Sequence, residues 1–407
     1  MQGLIEKWNR SSLIIKIFVG LAIGTALGLI FPKANFIGIP GTIFIGALKA
    51  IAPVLVALLV CSSIAGAGSG IGARFRTVVV LYLFSTFTAA ICAVLFSRLF
   101  PIKLLLPEAA AITPPQGLEE IFTSLLSSIV ENPVKAIANA NYLAILFWAI
   151  VFGLALKFVA SEKTIAIVCD MAEAISKVVS WIICFAPLGI LGIMYSNIAG
   201  NGLSIFANYG QIILLLVGTM IFVALIVNPL IVGLLLKHNP YPLVLRCLKE
   251  SGIQAFFTRS SAANIPVNMK LCEELGLDKD FYAVSIPLGS TINMDGAAVT
   301  ITVMTLAAAS TLGMRIPLPV AIILSIISTL GAAGSSGVAG GSLLLIPMAC
   351  SLMGIGNDIA MEVVAVGFII GVIQDSIETA LNSSGDVIFT AAAEFYERDR
   401  KPRIAEK

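Results

Sequence analysis

Histidine is almost absent from this 407-residue sequence, charge is scarce, and the cysteines keep no paired spacing. The one histidine, His238 in a Lys-His-Asn-Pro loop, excludes a histidine metal centre or proton relay. Charged residues make up 12%, about half the roughly 25% usual for soluble domains. A net charge of +2 leaves no basic footprint for nucleic acid. The seven cysteines (61, 92, 169, 184, 247, 272, 350) lie mostly inside apolar stretches and read as small buried hydrophobes rather than a disulfide or metal framework. What is present in quantity is apolar: 58% hydrophobic residues, 35 glycines and a mean hydropathy of +1.01. A soluble core cannot hide that much apolar surface. Disorder, collagen, a coiled coil and an ordinary soluble enzyme are excluded, and a polytopic membrane protein is expected.

Apolar runs of spanning length cover 13–31, 42–65, 77–100, 142–160, 174–199 and 210–236. The first follows Lys7 and Arg10 but has no small-residue cleavage site, so it reads as a retained helix rather than a signal peptide. Basic residues cluster before the first span, after the second (Arg74, Arg76), around the end of the fourth (Lys157, Lys163, Lys177) and after the sixth (Lys237, Arg246, Lys249). The alternate loops are poor in Lys and Arg, and the connection 101–140 is acidic (Glu108, Glu119, Glu120, Glu131). That alternation places the N-terminus in the cytoplasm, and the basic tail Arg398, Arg400, Lys401, Arg403 places the C-terminus there too.

The last third reads differently. Segment 250–270 is too polar for an ordinary span, and the run 318–350 is broken by glycines and serines between Gly331 and Ser342. Non-helical backbone at membrane depth survives only where protein or a water-filled cavity covers it, so both segments read as re-entrant hairpins. Each precedes a carboxylate-bearing span, 281–312 with Asn293-Met294-Asp295-Gly296 and 361–393 with Asp375, Glu378 and Asp386. A hairpin and a carboxylate helix, repeated from opposite sides, point to an inverted repeat with a substrate site between its halves.

On the final span Asp375, Glu378, Thr379, Asn382 and Asp386 fall on one stripe. An uncompensated carboxylate at the bilayer centre costs about 2.5–3.5 kcal/mol on insertion scales. Three on one stripe with no basic residue among them call for cations or an ammonium group, such as sodium and an amino-acid amine; a structural hydrogen-bond stripe is the bland alternative. Gly296 allows local unwinding that frees carbonyls beside Asp295, which suits an alkali cation, although a buried kink would leave the same trace. Ser260 and Ser261 at the first hairpin tip offer hydroxyls and a helix N-terminus to a carboxylate, or are simply a loop. Lys49, inside the second span, reads as snorkelling or structurally paired. Tyr82, Ser85 and Thr86 share one part of the third span and would by themselves be packing.

These residues resemble the dicarboxylate/amino acid:cation symporter family, which includes the glutamate transporters. The matching stretches are Ala255-Phe-Phe-Thr-Arg-Ser-Ser261 with Ile265-Pro-Val, Pro287-Leu-Gly-Ser-Thr-Ile-Asn-Met-Asp-Gly296, the tip from Gly334 to Ser342, and Asn382-Ser-Ser-Gly-Asp386. The resemblance covers essentially the whole chain and is strongest from 250 to 393. It implies an all-α integral membrane fold of eight transmembrane helices plus two re-entrant hairpins, a homotrimer, and an elevator-like movement. In that frame residues 1–76 are scaffold helices 1 and 2, 77–100 is helix 3 of the transport domain, and 101–200 holds scaffold helices 4 and 5 with the long outer connection. Residues 201–407 form the core transport domain: helix 6, hairpin 1 (245–270), helix 7 (281–312), hairpin 2 (318–350), helix 8 (361–393) and the tail.

The resemblance also implies roles. Asp375 would hold the substrate amine, and Asn382 with the backbone and hydroxyls near Ser261 would hold its carboxylate; Arg259, Ser260, Ala297, Val338, Ser342, Glu378 and Thr379 complete the pocket. Asp386 with carbonyls of Gly289, Asn293 and Asn382 resembles one sodium site. Thr291 with Ala332, Ala333 and Ser335 resembles a second, and Tyr82, Ser85, Thr86, Asn293 and Asp295 a third.

The departures bear on substrate. Members that carry acidic substrates place an arginine where this chain has Glu378, and a carboxylate there repels a second substrate carboxylate. Glu378 can instead accept a hydrogen bond from a substrate hydroxyl. Ala262, Ala297 and Ala339 replace a serine, a hydroxyl residue and a proline of the family pattern, while Arg259 keeps the hairpin arginine and is placed to offset Glu378. Among relatives the chain looks most like the bacterial sodium-coupled serine/threonine symporters. The expectation is sodium-driven uptake of L-serine and L-threonine across the cytoplasmic (inner) membrane, with lipid around it, no organic cofactor and no nucleic acid. The rivals are an acidic amino acid or dicarboxylate symporter, an intramembrane aspartyl hydrolase using Asp295 and Asp375, and a passive channel.

Overall fold

A computed structural model describes residues 13–66, 72–106, 130–333, 335 and 340–405. Among these residues the chain is helical throughout, with no strand. Five stretches are long and apolar enough to cross a membrane, Asn35–Gly66, Arg74–Leu99, Ala186–Leu236, Lys279–Thr311 and Asn357–Arg398, and shorter apolar helices lie between them. This is a multi-pass membrane protein. The connection 107–129, residues 1–12 and most of the second hairpin tip, Val338 and Ala339 included, lie outside the described residues.

The helices sort into two packing groups. The first contains α1 (Leu13–Ile30), α2 (Ile39–Gly66), α4 (Pro133–Ala138), α5 (Tyr142–Val159), α6 (Glu162–Cys184) and α7 (Ala186–Asn201). Its tightest seam is α1 on α7. Gly20, Gly24 and Gly28 recur once per turn, and a Cβ at Gly20 or Gly24 would sit 2.2 or 2.4 Å from the Pro187 or Leu191 carbonyl oxygen. Where lipid removes the hydrophobic incentive for helices to associate, small residues let backbones approach closely enough for dispersion to hold them.

The second group surrounds one long helix. It comprises α3 (Gly72–Leu99), α8 (Ile205–Phe222), α9 (Asn228–Leu236), α10 (Tyr241–Cys247), α11 (Ile253–Thr258), α12 (Ser261–Glu274), α13 (Lys279–Ile292), α14 (Asp295–Thr311), α15 (Leu318–Ala332), α16 (Ile346–Leu352) and the central α17 (Asn357–Ala405). In the apolar 18-residue windows of Lys279–Thr311 and Asn357–Arg398, 89% and 83% of the residues are buried, against 39–50% in those of the other three stretches. The most carboxylate-rich helix is thus also an innermost one, the reverse of what hydropathy alone rewards. Between the groups Lys49 of α2 pairs with Asp358 at the start of α17, and the Ser63 hydroxyl donates to the Ala333 carbonyl at 3.3 Å.

Two stretches differ from the sequence expectation. The run 174–199 is not one span: α6 ends at Cys184, the chain turns at Phe185, and α7 starts with Pro187 in its first turn, where the missing N–H breaks no helical bond. Hydropathy overlooked the front of α6 because Lys163, Asp170, Glu173 and Lys177 interrupt its apolar face. Run 210–236 carries a π-turn at Val223–Val227. Segment 250–270 does form a helix–turn–helix unit, turning at Arg259, whose backbone is left-handed (φ 51°), before Ser260 caps α12, while most of the tip of segment 318–350 lies outside the described residues.

Candidate substrate and cation site

Four elements converge on the polar stripe of α17. Asp375, Glu378, Thr379, Asn382 and Asp386 are each at most 6% exposed, so the stripe faces protein and not lipid. The expected local unwinding lies one step earlier than anticipated. The chain leaves helical geometry at Asn293 and Met294, while Asp295 and Gly296 already belong to the first turn of α14. Gly296 serves close approach instead: a Cβ there would lie 2.8 Å from the Glu378 Cα, and its N–H donates to the Asn382 side-chain oxygen at 2.7 Å.

At the inner end of the stripe, Asn293 bridges two oxygens. Its Nδ2 donates to Asp386 Oδ1 and to the Asn382 carbonyl, both at 3.0 Å. Gly289 stands against them, since a Cβ there would meet the Tyr82 hydroxyl at 2.8 Å and Asp386 Oδ1 at 2.9 Å. The Tyr82 hydroxyl lies 3.2 Å from the carbonyls of Ser285 and Asp386 and 2.8 Å from the Thr390 hydroxyl. Asp386 is fully buried, and its Oδ2 has no hydrogen-bond donor among the described residues. A buried carboxylate oxygen without a donor is costly and calls for a partner.

Asp295 sits beside this cluster. The Ser85 and Thr86 hydroxyls donate to its Oδ1 at 2.9 and 3.1 Å, and Ser85 also reaches the Asn293 side-chain oxygen at 3.3 Å. Of the third-span residues, Ser85 and Thr86 meet Asp295, whereas the Tyr82 hydroxyl is spent on Ser285, Asp386 and Thr390. Asn228, which sequence reading overlooked, donates to Asp295 Oδ2 at 3.0 Å.

The outer end is arranged differently. Arg259 places Nε and Nη2 on Asp375 Oδ2 at 2.8 and 2.7 Å. This corrects two expectations: the stripe is not without a basic partner, and Arg259 compensates Asp375 rather than Glu378. Glu378 is held by neutral donors, with Thr300 and Ser342 hydroxyls reaching Oε2 at 2.7 and 2.9 Å and Gln374 donating to the same oxygen. Gln374 stands one turn before Glu378, so the i, i+4 spacing was a usable signal; Thr300 was not foreseeable. The Thr379 hydroxyl bonds the Asp375 carbonyl of its own helix at 2.7 Å.

At the first hairpin the Ser260 hydroxyl accepts the Ala263 N–H at 3.2 Å, and Ser261 lies buried in the first turn of α12. Ala297 is buried in the first turn of α14. Behind the tip, Ser251, Asn264, Asn268 and Ser383 form a buried network, with Asn264 donating to the Ser383 hydroxyl at 2.8 Å and Asn268 to its carbonyl at 3.1 Å. The second proposed ion set is less assembled. Thr291 bonds the Leu288 carbonyl at 2.7 Å, Ser335 bonds the Ala332 carbonyl at 2.8 Å, and no hydrogen bond among the described residues joins Thr291 to Ala332, Ala333 or Ser335.

Residues 13–394 match the family model described as the sodium:dicarboxylate symporter family. The chain belongs to the sodium:dicarboxylate symporter family. Its relatives include proteins named serine/threonine transporter SstT. That of Bifidobacterium adolescentis is 59% identical over 97% of this chain and 92% of its own length. Those of Streptococcus agalactiae and Streptococcus thermophilus are 56% identical over 97% of this chain and 98% of theirs. Membership of a symporter family makes the chain a transporter and not an enzyme. The hydrolase alternative also lacks its geometry: Asp295 and Asp375 bond separate partners, whereas a catalytic dyad must share a proton.

Proposed function

We propose that this sodium:dicarboxylate symporter family member drives uptake of L-serine and L-threonine with sodium across the bacterial cytoplasmic membrane. The observation that carries the substrate class is the pairing at the outer end of the stripe. Arg259 is engaged by Asp375, and the position of Glu378 presents a carboxylate among three neutral donors. A second substrate carboxylate would meet repulsion there, whereas a hydroxyl can donate to Glu378. The names of the relatives agree with that chemistry.

In this reading the substrate ammonium group approaches Asp375, and its carboxylate lies toward Asn382 and the orphan N–H groups at the start of α12. Sodium, a co-substrate here, satisfies Asp386 Oδ2 together with carbonyls of Gly289, Asn293 and Asn382; a second sodium belongs with Asp295, Ser85 and Thr86. A third, between Thr291 and the Ala332–Ser335 stretch, would have to form as that hairpin settles over the substrate. Val338 belongs to the same closure. Charge accounting fits: Asp295 and Asp386 have no basic partner among the described residues, so cations must come from solution. The packing groups around α1–α2 and around α17 support a scaffold and a moving transport domain (1–76 with 101–200, and 77–100 with 201–407). A homotrimer of eight spans and two hairpins, with both termini cytoplasmic, completes the proposal.

The test is radiolabelled L-serine uptake into proteoliposomes with and without an inward sodium gradient, competed by threonine, aspartate and succinate. Accumulation that needs sodium and is blocked by threonine but not aspartate is expected. Block by aspartate would hand the pocket to Arg259, and serine equilibrating without accumulation under any gradient would indicate a channel.

A further inference from the structure

Asn228 lies in the middle of an apolar span, fully buried, and nothing in the site described so far requires it. An amide there is costly unless partnered, and bilayer surroundings offer no water to partner it. Its position is set by a local irregularity. Helix α8 opens into the π-turn Val223–Val227, and α9 resumes with Asn228 followed by Pro229, which has no N–H to leave unpaired. The inserted residue turns the following face. Leu225, Ile226, Leu230 and Leu234 point outward, while Val227, Asn228, Ile231 and Val232 point into the protein. The chain thus bends its helix to aim one polar side chain at Asp295.

The two atoms of that side chain are used unequally. Nδ2 donates to Asp295 Oδ2 at 3.0 Å, the oxygen that the Ser85 and Thr86 hydroxyls do not reach. Oδ1 is buried with no donor among the described residues. A purely structural asparagine would be expected to find a donor for that oxygen, because native proteins leave few buried acceptors unpaired. Beside a carboxylate, an unpaired amide oxygen is a hard ligand of the kind alkali and alkaline-earth cations take.

We propose that Asn228 is a further residue of the cation-coupling machinery, orienting Asp295 through its N–H and offering its amide oxygen to the cation that Asp295 attracts. This rests on the sodium-coupled reading above. The carboxylate then has one oxygen fixed by α3 and one by α9, and the ion sits where α3, α9 and the break between α13 and α14 meet.

The experiment compares wild type, Asn228→Leu and Asn228→Ser as purified full-length protein without serine, titrating sodium against potassium and following thermal unfolding. Sodium should stabilise wild type, and Asn228→Leu should shift half-saturation upward about tenfold, the effect of one lost polar ligand. Asn228→Ser, which restores a donor and an oxygen, should fall between them. In proteoliposomes at saturating sodium, the KM for serine should stay at the wild-type value, a split that general damage would not give. If Asn228→Leu does not fold, Asn228→Ser alone decides by a shift or its absence. Sodium curves identical to wild type in the variants overturn this inference only; a wild type that sodium stabilises no more than potassium overturns the sodium reading and this inference with it.

Discussion

The two ends of the α17 stripe are finished to different degrees. At the outer end every carboxylate already has protein partners, Arg259 on Asp375 and Thr300, Ser342 and Gln374 on Glu378. At the inner end Asp386 keeps one oxygen with no donor among the described residues, and its bonded oxygen has only the Asn293 amide. A carboxylate in a dry interior without a counter-charge costs several kcal/mol, which under the proposed function a cation from solution would offset. The outer end is already paired, so in the same proposal a substrate ammonium group at Asp375 would exchange partners instead of filling a void. Ion binding should therefore respond steeply to loss of charge, and substrate binding more gradually.

The largest effect should follow from breaking the unfinished end. Asp386→Asn removes the charge that demands a cation while keeping the Asn293 contact geometry. Half-saturation by sodium should rise about 100-fold, equivalent to roughly 2.7 kcal/mol, measured as sodium-dependent serine uptake in proteoliposomes. A wild-type sodium curve would mean that Asp386 is a structural carboxylate and that the contrast between the two ends is false.

At the finished end, Glu378→Arg tests what the carboxylate excludes. Gln374 Oε1 is buried and lacks a donor among the described residues, so an arginine at 378 would find an acceptor already waiting. Serine uptake should fall by about tenfold to 100-fold, the cost of leaving one polar group without its partner, while aspartate should become a competitor. Serine selectivity surviving this change would place the discrimination elsewhere. A milder probe is Ser342→Ala, which removes one of three donors to Glu378 and should raise the KM for serine by about threefold to tenfold at unchanged sodium half-saturation, the net value of one ordinary hydrogen bond.

The same contrast explains what the sequence disclosed. Properties of one helix were readable: the α17 stripe needed only its spacing, and the Asn293–Gly296 motif announced a disturbed helix. The reversal at Arg259 followed from a polar run too awkward for a span. Tyr82, Ser85 and Thr86 were intelligible only through resemblance, since three hydroxyls on an apolar helix are ordinary until Asp295 is seen against Ser85 and Thr86, and the Asp386 carbonyl against Tyr82. Whatever depends on two distant segments stayed hidden. Arg259 was assigned to the wrong carboxylate because 116 residues separate it from Asp375 and spacing says nothing about which oxygen it reaches. Ser251, Asn264, Asn268 and Ser383 look like scattered polar residues until α17 is laid across the first hairpin. The turn at Phe185 was missed because hydropathy averages through a proline that a helix start accommodates without cost.

The smallest effect lies away from both ends and serves as their control. Asp278 caps α13 by accepting the Asp280 N–H at 3.1 Å, and its other oxygen accepts from Arg74 of α3 at 2.8 Å. The Arg74 bond, followed by the cap, holds its carboxyl below the usual carboxylate range. A depressed folded pKa means that the unfolded chain binds the proton more readily, so this contribution is full above the unfolded pKa of about 4 and fades as pH falls through the lower folded value. Asp278→Asn keeps the cap but loses the charge. Wild type should therefore melt slightly above the variant at pH of about 6, and the gap should close toward pH of about 3. Sodium half-saturation and the KM for serine should be unchanged throughout, because the pair ties α3 to α13 at the rim without touching the stripe. A gap that widens on acidification would mean that Asp278 is stabilised as the protonated acid, and a shift in the sodium curve would mean that the rim and the ion end act as one unit.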